Sequence, residues 1–281
     1  MKNAWLNEYA KNNTYSQFGE DGIIAKALEM LPNKNHWCVE FGAWDGKYLS
    51  TTLLLRENGY SAVLIEGDQQ KFKELKEICE KETNSIPVNC FVEPRGEHSL
   101  DSILEKTAIP IDFDLLVIDI DGNDYHVWKG VERYRPKIVC IECNPSFPDD
   151  AIFIQSESED NQGSSMMAMV ELAKEKGYEL IATLGGNTFF VDQEFFSIYN
   201  IEDNSLHNLR GWYGSIMYVS QTYKGEIYTY GAKQLIWSNN ELINQEIRQF
   251  ERLCKKLLGV HGRRERLYLF LTRLRNKVIG L

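Results

Sequence analysis

The sequence predicts an α/β fold, a doubly wound and mainly parallel sheet whose last strands run antiparallel. Three observations predict it. Short apolar runs alternate with stretches of helical spacing from residue 36 to residue 176. The runs are near-continuous Val, Ile, Leu and Cys, as strands covered on both faces require. Finally, Gly185-Gly186-Asn187 joins two further runs, 178–184 and 188–193, in a hairpin turn that makes them antiparallel neighbours.

Residues 1–35 read as a helical lead-in: in EDGIIAKALEML, Ile23, Ile24, Ala27, Leu28 and Leu31 fall at helical spacing and Pro32 marks the exit. Strands are expected at 36–41 (HWCVEF), 61–66 (SAVLIE), 88–92 (VNCFV), 114–119 (DLLVID) and 138–142 (IVCIE). Helices are expected between them at 50–58, 69–81, 99–106 and 124–133. A polar, acidic loop (148–164) then leads into a helix at 165–176. Residues 200–238 are aromatic and aperiodic. From Asn239 a helical extension begins, with Ile243, Ile247, Phe250, Cys254 and Leu257 on one face and its end near Gly259. A second amphipathic stretch, 263–279, sets Leu267, Leu271, Leu274 and Val278 against six cations. The expected organisation is an N-terminal helical segment (1–35), the α/β domain (36–200), and an aromatic segment with a basic helical tail (201–281).

Composition narrows the function. The chain has 281 residues, 43% hydrophobic and 26% charged, ordinary for a globular protein with a sizeable core. It lacks an apolar run of the roughly 20 residues that cross a bilayer. The start, MKNAWLNEYAKNN, has no apolar core of a signal peptide, so a cytoplasmic address is expected. From Arg248 onward ten Lys/Arg face two Asp/Glu, a net of +8; since the whole chain carries −10, the body carries −18. An acidic body is a poor grip for a phosphate backbone, so nucleic acid is not expected as a partner. The basic tail has three readings: a packed helix pair, a homo-oligomer contact, or an interfacial helix on anionic lipid.

Residues 138–147, IVCIECNPSF, admit three chemistries. Cys140 and Cys143 form C-x-x-C, but no second Cys/His pair stands at zinc spacing, and the six scattered cysteines suit small core residues of a reducing compartment. Asn144-Pro145-Ser146-Phe147 is like the signature of amine methylases, but it follows the fifth strand, whereas that signature follows the fourth. What remains is Glu142 and Asn144, two apart and on one face.

Ligands of open α/β sheets sit beyond the carboxyl ends of the strands. There, VEFGAWDG (39–46) places Glu40, then glycines where a cofactor approaches backbone closely. With an acid first and no G-x-G-x-x-G, it suits a cationic cofactor with an amino-acid end better than a pyrophosphate. Glu66, at the tip of the second strand, is placed to accept hydrogen bonds from both ribose hydroxyls of an adenosine cofactor. Together the two favour S-adenosylmethionine over NAD. In LLVIDIDGNDYHVW, Asp119 and Asp121 alternate onto one side of the fourth strand's end, over the transfer site. His126, in the next helical turn, is either a general base or a packed histidine.

These blocks in order, VEFGAWDG, the Glu66 strand and SLDSILEKTAIPIDFDLLVIDIDGNDYHVWKGVERYRPKIVCIE, resemble the FkbM-type S-adenosylmethionine-dependent methyltransferases across roughly residues 36–195. That family carries acid-x-Gly-Ala-x-x-Gly, a Leu-Asp stretch before strand four, Ile-Asp-x-Glu-Gly, and an acid closing strand five. The resemblance implies the Rossmann-like class I methyltransferase fold. It puts Glu40, Gly42, Ala43 and Gly46 at the methionine end, Glu66 at the ribose, and Asp119 at the reaction centre. Asp121 stands where the family usually has Glu. SQFGEDG (16–22) is a further block, with Gln17 a candidate cofactor contact. Members mostly methylate hydroxyls of sugars, glycans and secondary metabolites, which makes a carbohydrate-like acceptor the expectation. It would lie between the loop from Glu142 to Ser165 and the aromatic segment around Trp212 and Tyr213. The hydroxyl proton leaves to a carboxylate or His, or after coordination to a metal. Asp119, Asp121, Glu142 and Asn144 are oxygen ligands from neighbouring strand ends and would suit Mg2+ or Mn2+. The same fold also serves amine methyltransferases and non-catalytic cofactor-binding scaffolds.

Overall fold

The computed structural model describes residues 3–158, 162–224 and 226–232. The two helices expected at 239–259 and 263–279, and with them the basic tail, lie outside the described residues. Seven strands form one sheet: β1 (Trp37–Phe41), β2 (Ser61–Glu66), β3 (Ser85–Asn89), β4 (Leu115–Ile118), β5 (Ile138–Glu142), β6 (Tyr178–Leu184) and β7 (Asn187–Asp192). Their spatial order is β3-β2-β1-β4-β5-β7-β6. All neighbours are parallel except β5 with β7 and β7 with β6. This is the Rossmann-like class I methyltransferase arrangement that the alternating runs and the Gly185-Gly186 turn predict.

Helix α1 (Glu20–Met30) precedes the sheet, and five helices connect its strands: α2 (Leu53–Glu57), α3 (Gln69–Cys79), α4 (Leu100–Leu104), α5 (Asp124–Gly130) and α6 (Met166–Glu175), with a short α7 (Leu206–Leu209) after the sheet. Their starts are chemically marked. Asp68 accepts the backbone N–H groups of Gln70 and Lys71 at the head of α3, Ser99 that of Ser102 in α4, and Ser165 that of Ala168 in α6. The central strands β4 and β5 are buried almost throughout, which is why they read as unbroken apolar runs.

The third strand differs from expectation. It spans Ser85–Asn89 rather than 88–92 and carries Pro87, paired in register with Leu64. β3 is the sheet's edge, where a missing N–H leaves no internal ladder bond unmade. Cys90, Phe91 and Val92 are thereby released from the sheet to line the cleft described below.

Residues Met1–Tyr213 form one compact unit. A 3-10 helix, Trp5–Asn12, belongs to it: Leu6 is fully buried, the Trp5 indole N–H donates to the Tyr199 carbonyl (2.9 Å), and the Asn7 amide donates to the Leu209 carbonyl (2.8 Å). Below the sheet, Lys137 Nζ pairs with Asp114 (2.6 Å), whose carboxylate also accepts the His36 and Asn35 N–H groups at the entry to β1. From Gly214 begins a second unit. Within it, β8 (Met217–Gln221) and β9 (Ile227–Gly231) form an antiparallel hairpin with the Tyr218 and Tyr230 rings stacked 5.2 Å apart. This hairpin lies in the aromatic stretch that sequence periodicity leaves unassigned. Among the described residues no helix is long and apolar enough to cross a membrane.

Candidate active site

A cleft of about 480 Å³ runs along the carboxyl ends of β2, β1 and β4, the place an open α/β sheet reserves for its ligand. Gln17, Glu40, Gly42, Ala43, Glu66, Asp119 and Asp121 all line it. Gly46, Glu142, Asn144 and His126 stand behind or beside that lining.

The loop after β1 is shaped by two glycines. Gly42 sits at φ +77°, and a Cβ there would lie 1.9 Å from the Asp119 carbonyl oxygen. Gly46, at φ +76°, closes a turn by donating to the Ala43 carbonyl (2.7 Å), and Arg56 grips its own carbonyl from behind. Glu40 is buried and accepts Ser50 Oγ (2.8 Å), Thr51 N–H (2.8 Å) and Thr52 Oγ1 (2.5 Å). It therefore ties the descending end of the loop to the strand and turns the rest of its carboxylate to the cleft. Glu66 accepts the N–H groups of Trp44 (2.8 Å) and Asp68 (2.7 Å), one on each oxygen. Each oxygen keeps a second lone pair, so two acceptor positions remain for a pair of ribose hydroxyls. Asp68 is occupied as the α3 cap. Phe91 lies over Gly67, where any Cβ would strike its ring, and so forms an exposed aromatic wall. Lys71 Nζ lies 3.8 Å over the Trp44 ring at the mouth.

The acidic end of the cleft gathers around β4 and β5. One oxygen each from Asp119, Asp121 and Glu142 lie within 4.8 Å of one another. Asp119 and Asp121 open into the cleft, while Glu142 lies behind them, half-buried. Burial, followed by the neighbouring Asp124 and Asp121, pushes the Asp119 carboxyl up to about 7. Burial and then Asp119 push Glu142 up to about 10. Since one oxygen of each lies within 4.8 Å of the other, a proton bound by the pair rests on Glu142 before Asp119. Asp124, which sequence reading passes over as the start of a helix, is the internal support of this loop. It is buried, is pushed up to about 6 chiefly by that burial, and accepts the N–H groups of Ile120 (3.0 Å) and Gly122 (2.9 Å). Asn123, the residue before α5, makes no side-chain cap bond there.

Two predicted residues point elsewhere. Asn144 Oδ1 accepts both the N–H (2.9 Å) and Oγ (2.6 Å) of Ser146, and its amide donates to the Gln162 carbonyl (2.6 Å). The amide is thus used in closing the loop that leaves β5. His126 makes a 2.6 Å hydrogen bond to the Gln155 carbonyl, with Glu157 3.6 Å from its other nitrogen. It braces the same loop rather than the cleft. Cys140 and Cys143 are buried free thiols whose ionisation burial opposes, and Cys143 Sγ lies 3.0 Å from the Gly186 carbonyl. Packing accounts for the C-x-x-C.

That loop also meets the chain's later turn. Arg210, buried, donates to the carbonyls of Pro145 (2.5 Å), Phe147 (2.8 Å) and Trp212 (3.0 Å) and pairs with Asp149 (2.9 Å). Tyr213 OH donates to the other Asp149 oxygen (2.8 Å). The two segments expected to flank an acceptor are therefore joined. At the opposite wall, the SQFGEDG block folds back on itself. Asp21 accepts the N–H groups of Thr14 and Tyr15 (3.0 and 2.8 Å), and Glu20 those of Phe18 and Gly19 (2.9 and 3.1 Å). Sequence reading missed Glu20 and Asn187, both in the lining. The strand-end position of Asn187 in the hairpin turn was the available signal.

Comparison with known proteins bears on this site. No curated protein sequence matches the chain. Among solved structures, the citrinin polyketide synthase CMeT domain aligns with 63% of this chain and 54% of its own, about half its length, at 10% identity and TM-score 0.44. A SAM-dependent methyltransferase from Aquifex aeolicus aligns over 60% of this chain and 87% of its own (12%, TM-score 0.36). TrmK of M. capricolum, in complex with S-adenosyl-homocysteine, aligns over 92% and 95% (11%, TM-score 0.38). The fold assignment rests on strand order and register, not on these likenesses. Residues 92–180, which contain β4, β5 and the carboxylate cluster, match the model described as the methyltransferase FkbM domain. That span, about a third of the chain, is similar to the methyltransferase FkbM domain family.

Proposed function

We propose that the chain is an O-methyltransferase acting on a hydroxyl of a sugar, glycan precursor or related small molecule. The observation that carries this is that one cleft brings a ribose-competent carboxylate on β2 together with Asp119 and Asp121, whose oxygens converge with that of Glu142 behind them at the ends of β4 and β5. Glu66 would hold the ribose, the Glu40–Gly46 loop the methionine end, and Phe91 the base. S-adenosylmethionine, when bound, supplies an electrophilic methyl group on a sulfonium. The chain's own task is to align an acceptor oxygen behind that methyl and to receive its proton. Asp119, raised to about 7 and open to the cleft, is matched to that task near neutral pH. Glu142, holding a proton of its own, keeps Asp119 oriented.

A second use of the same carboxylates has support in their convergence: three oxygen donors within 4.8 Å suit a hard divalent cation such as Mg2+ or Mn2+. Asp119, Asp121 and Glu142 would hold it, without Asn144. Such an ion would lower the pKa of an acceptor hydroxyl.

The test is calorimetry with S-adenosylhomocysteine, with and without Mg2+, followed by transfer of labelled methyl to hydroxyl- and amine-bearing acceptors. Saturable binding and an O–CH3 product are expected. An N–CH3 product would replace the reading with amine methylation, and failure to bind the cofactor product would leave a non-catalytic protein. Full activity in excess chelator would remove the metal.

A further inference from the structure

Glu20 is 2% exposed, yet its carboxylate lines the cleft. Three donors already hold it: the N–H groups of Phe18 (2.9 Å) and Gly19 (3.1 Å) on Oε2, and the Asn187 amide nitrogen (3.1 Å) on Oε1. A carboxylate offers about four acceptor positions, so one is left. Asn187, having turned its nitrogen to Glu20, keeps its amide oxygen as a second acceptor. The position of the pair across the sheet is fixed by topology. Strand ends follow one another as Glu66 on β2, Gly42 on β1, Asp119 on β4, Glu142 on β5 and Asn187 on β7. Because β7 is antiparallel, its first residue reaches the edge where the parallel strands finish, directly beside Glu142. Glu20 and Asn187 therefore stand on the far side of Asp119 from the ribose acid, where an acceptor must lie if the cofactor spans β2 to β4.

The charge around the cleft limits what that acceptor is. Among the described residues, six carboxylates line it against one ammonium, that of Lys71, at the other end. A phosphorylated or nucleotide-linked acceptor would be repelled, whereas neutral hydroxyl donors suit two acceptors side by side. We infer that Glu20 and Asn187 form the acceptor subsite and hold a neutral polyol through hydroxyls other than the one methylated. This rests on the methyl-transfer reading above and extends it to substrate class.

The test uses the full chain loaded with S-adenosylhomocysteine and a panel of methyl hexopyranosides, read by saturation-transfer NMR. At least one glycoside is expected to bind, and its 6-phosphate to bind about tenfold more weakly or worse. Glu20→Gln should weaken that glycoside about tenfold or more while leaving the affinity for S-adenosylhomocysteine within about twofold. Asn187→Ala, which leaves the carboxylate in place, should give the same selective loss. The inference is overturned if no glycoside binds, if the phosphate is preferred, if both variants bind the glycoside like the wild type, or if Glu20→Gln loses the cofactor product as well. Methylation is scored separately with labelled cofactor. A glycoside that binds through Glu20 without being methylated removes the transfer reading and leaves the subsite. One methylated equally by wild type and Glu20→Gln does the reverse.

Discussion

Glu142 keeps a proton at neutral pH because burial and the Asp119 carboxylate both oppose its ionisation. Its folded value, about 10, lies above the ordinary carboxylate range, so the folded chain binds more protons than the unfolded one between roughly pH 4.5 and 10. The stability contributed by this group is complete below that window and declines as pH rises through it. In EDTA, the melting temperature should therefore fall between pH 5 and pH 9, and Glu142→Gln should flatten the slope; thermal melts across that range check it. Glu66→Ala removes the two remaining ribose acceptors and leaves the Trp44 and Asp68 N–H groups without a partner. A loss of roughly 10- to 100-fold in S-adenosylhomocysteine affinity is expected by calorimetry, and unchanged binding would remove the cofactor assignment. These residues were legible in the sequence because each is an acid at the predicted tip of an apolar run. His126 and Asn144 were equally visible, but which way a side chain faces depends on the fold of the loop from Pro145 to Ser164, and no spacing encodes that. Glu20 and Asn187 meet across 167 positions of sequence, a distance that periodicity cannot bridge.

At the scale of elements, the loop after β5 is held mainly by side chains from elsewhere. Arg210 caps two of its carbonyls and neutralises Asp149, while Gln155, from within, receives the Gln162 and Gly163 N–H groups (2.9 and 2.8 Å). Arg210→Met would leave Asp149 without its guanidinium partner, with Tyr213 OH still donating to it, and three carbonyls without that donor, a loss of about 3 kcal/mol measured by denaturant unfolding. Arg210→Lys, with fewer donors, should recover part of it. The loop after β1 has a comparable brace. Arg56 holds the Gly46 carbonyl and pairs with Glu82 (2.5 Å). Arg56→Met should weaken cofactor-product binding about tenfold, more than it lowers the melting temperature of the ligand-free protein accounts for. Strand existence and direction were readable from apolar runs and the Gly185-Gly186 turn. The register of β3 was not, because Pro87 resembles a strand breaker until the strand is known to be an edge.

For the molecule as a whole, every described residue of the cleft lies between Gln17 and Asn187, inside the unit that ends at Tyr213. A chain ending at Tyr213 should fold and bind S-adenosylhomocysteine within about threefold of the full chain; loss of binding would place a necessary contact beyond that residue. The strand order makes the two halves of the cleft contiguous, and one contact joins them most tightly. At Gly42 the backbone of β1's exit lies against the Asp119 carbonyl of β4, with no room for even a methyl group between. The loop proposed to seat the methyl donor and the carboxylate proposed to meet the acceptor are thus registered main chain to main chain. Neither can drift without carrying the other. The spacing between donor and proton acceptor behaves as a built-in gauge, set by peptide geometry and insensitive to rotamer choice. The acceptor wall can then diverge freely in sequence while the reacting distance stays constant.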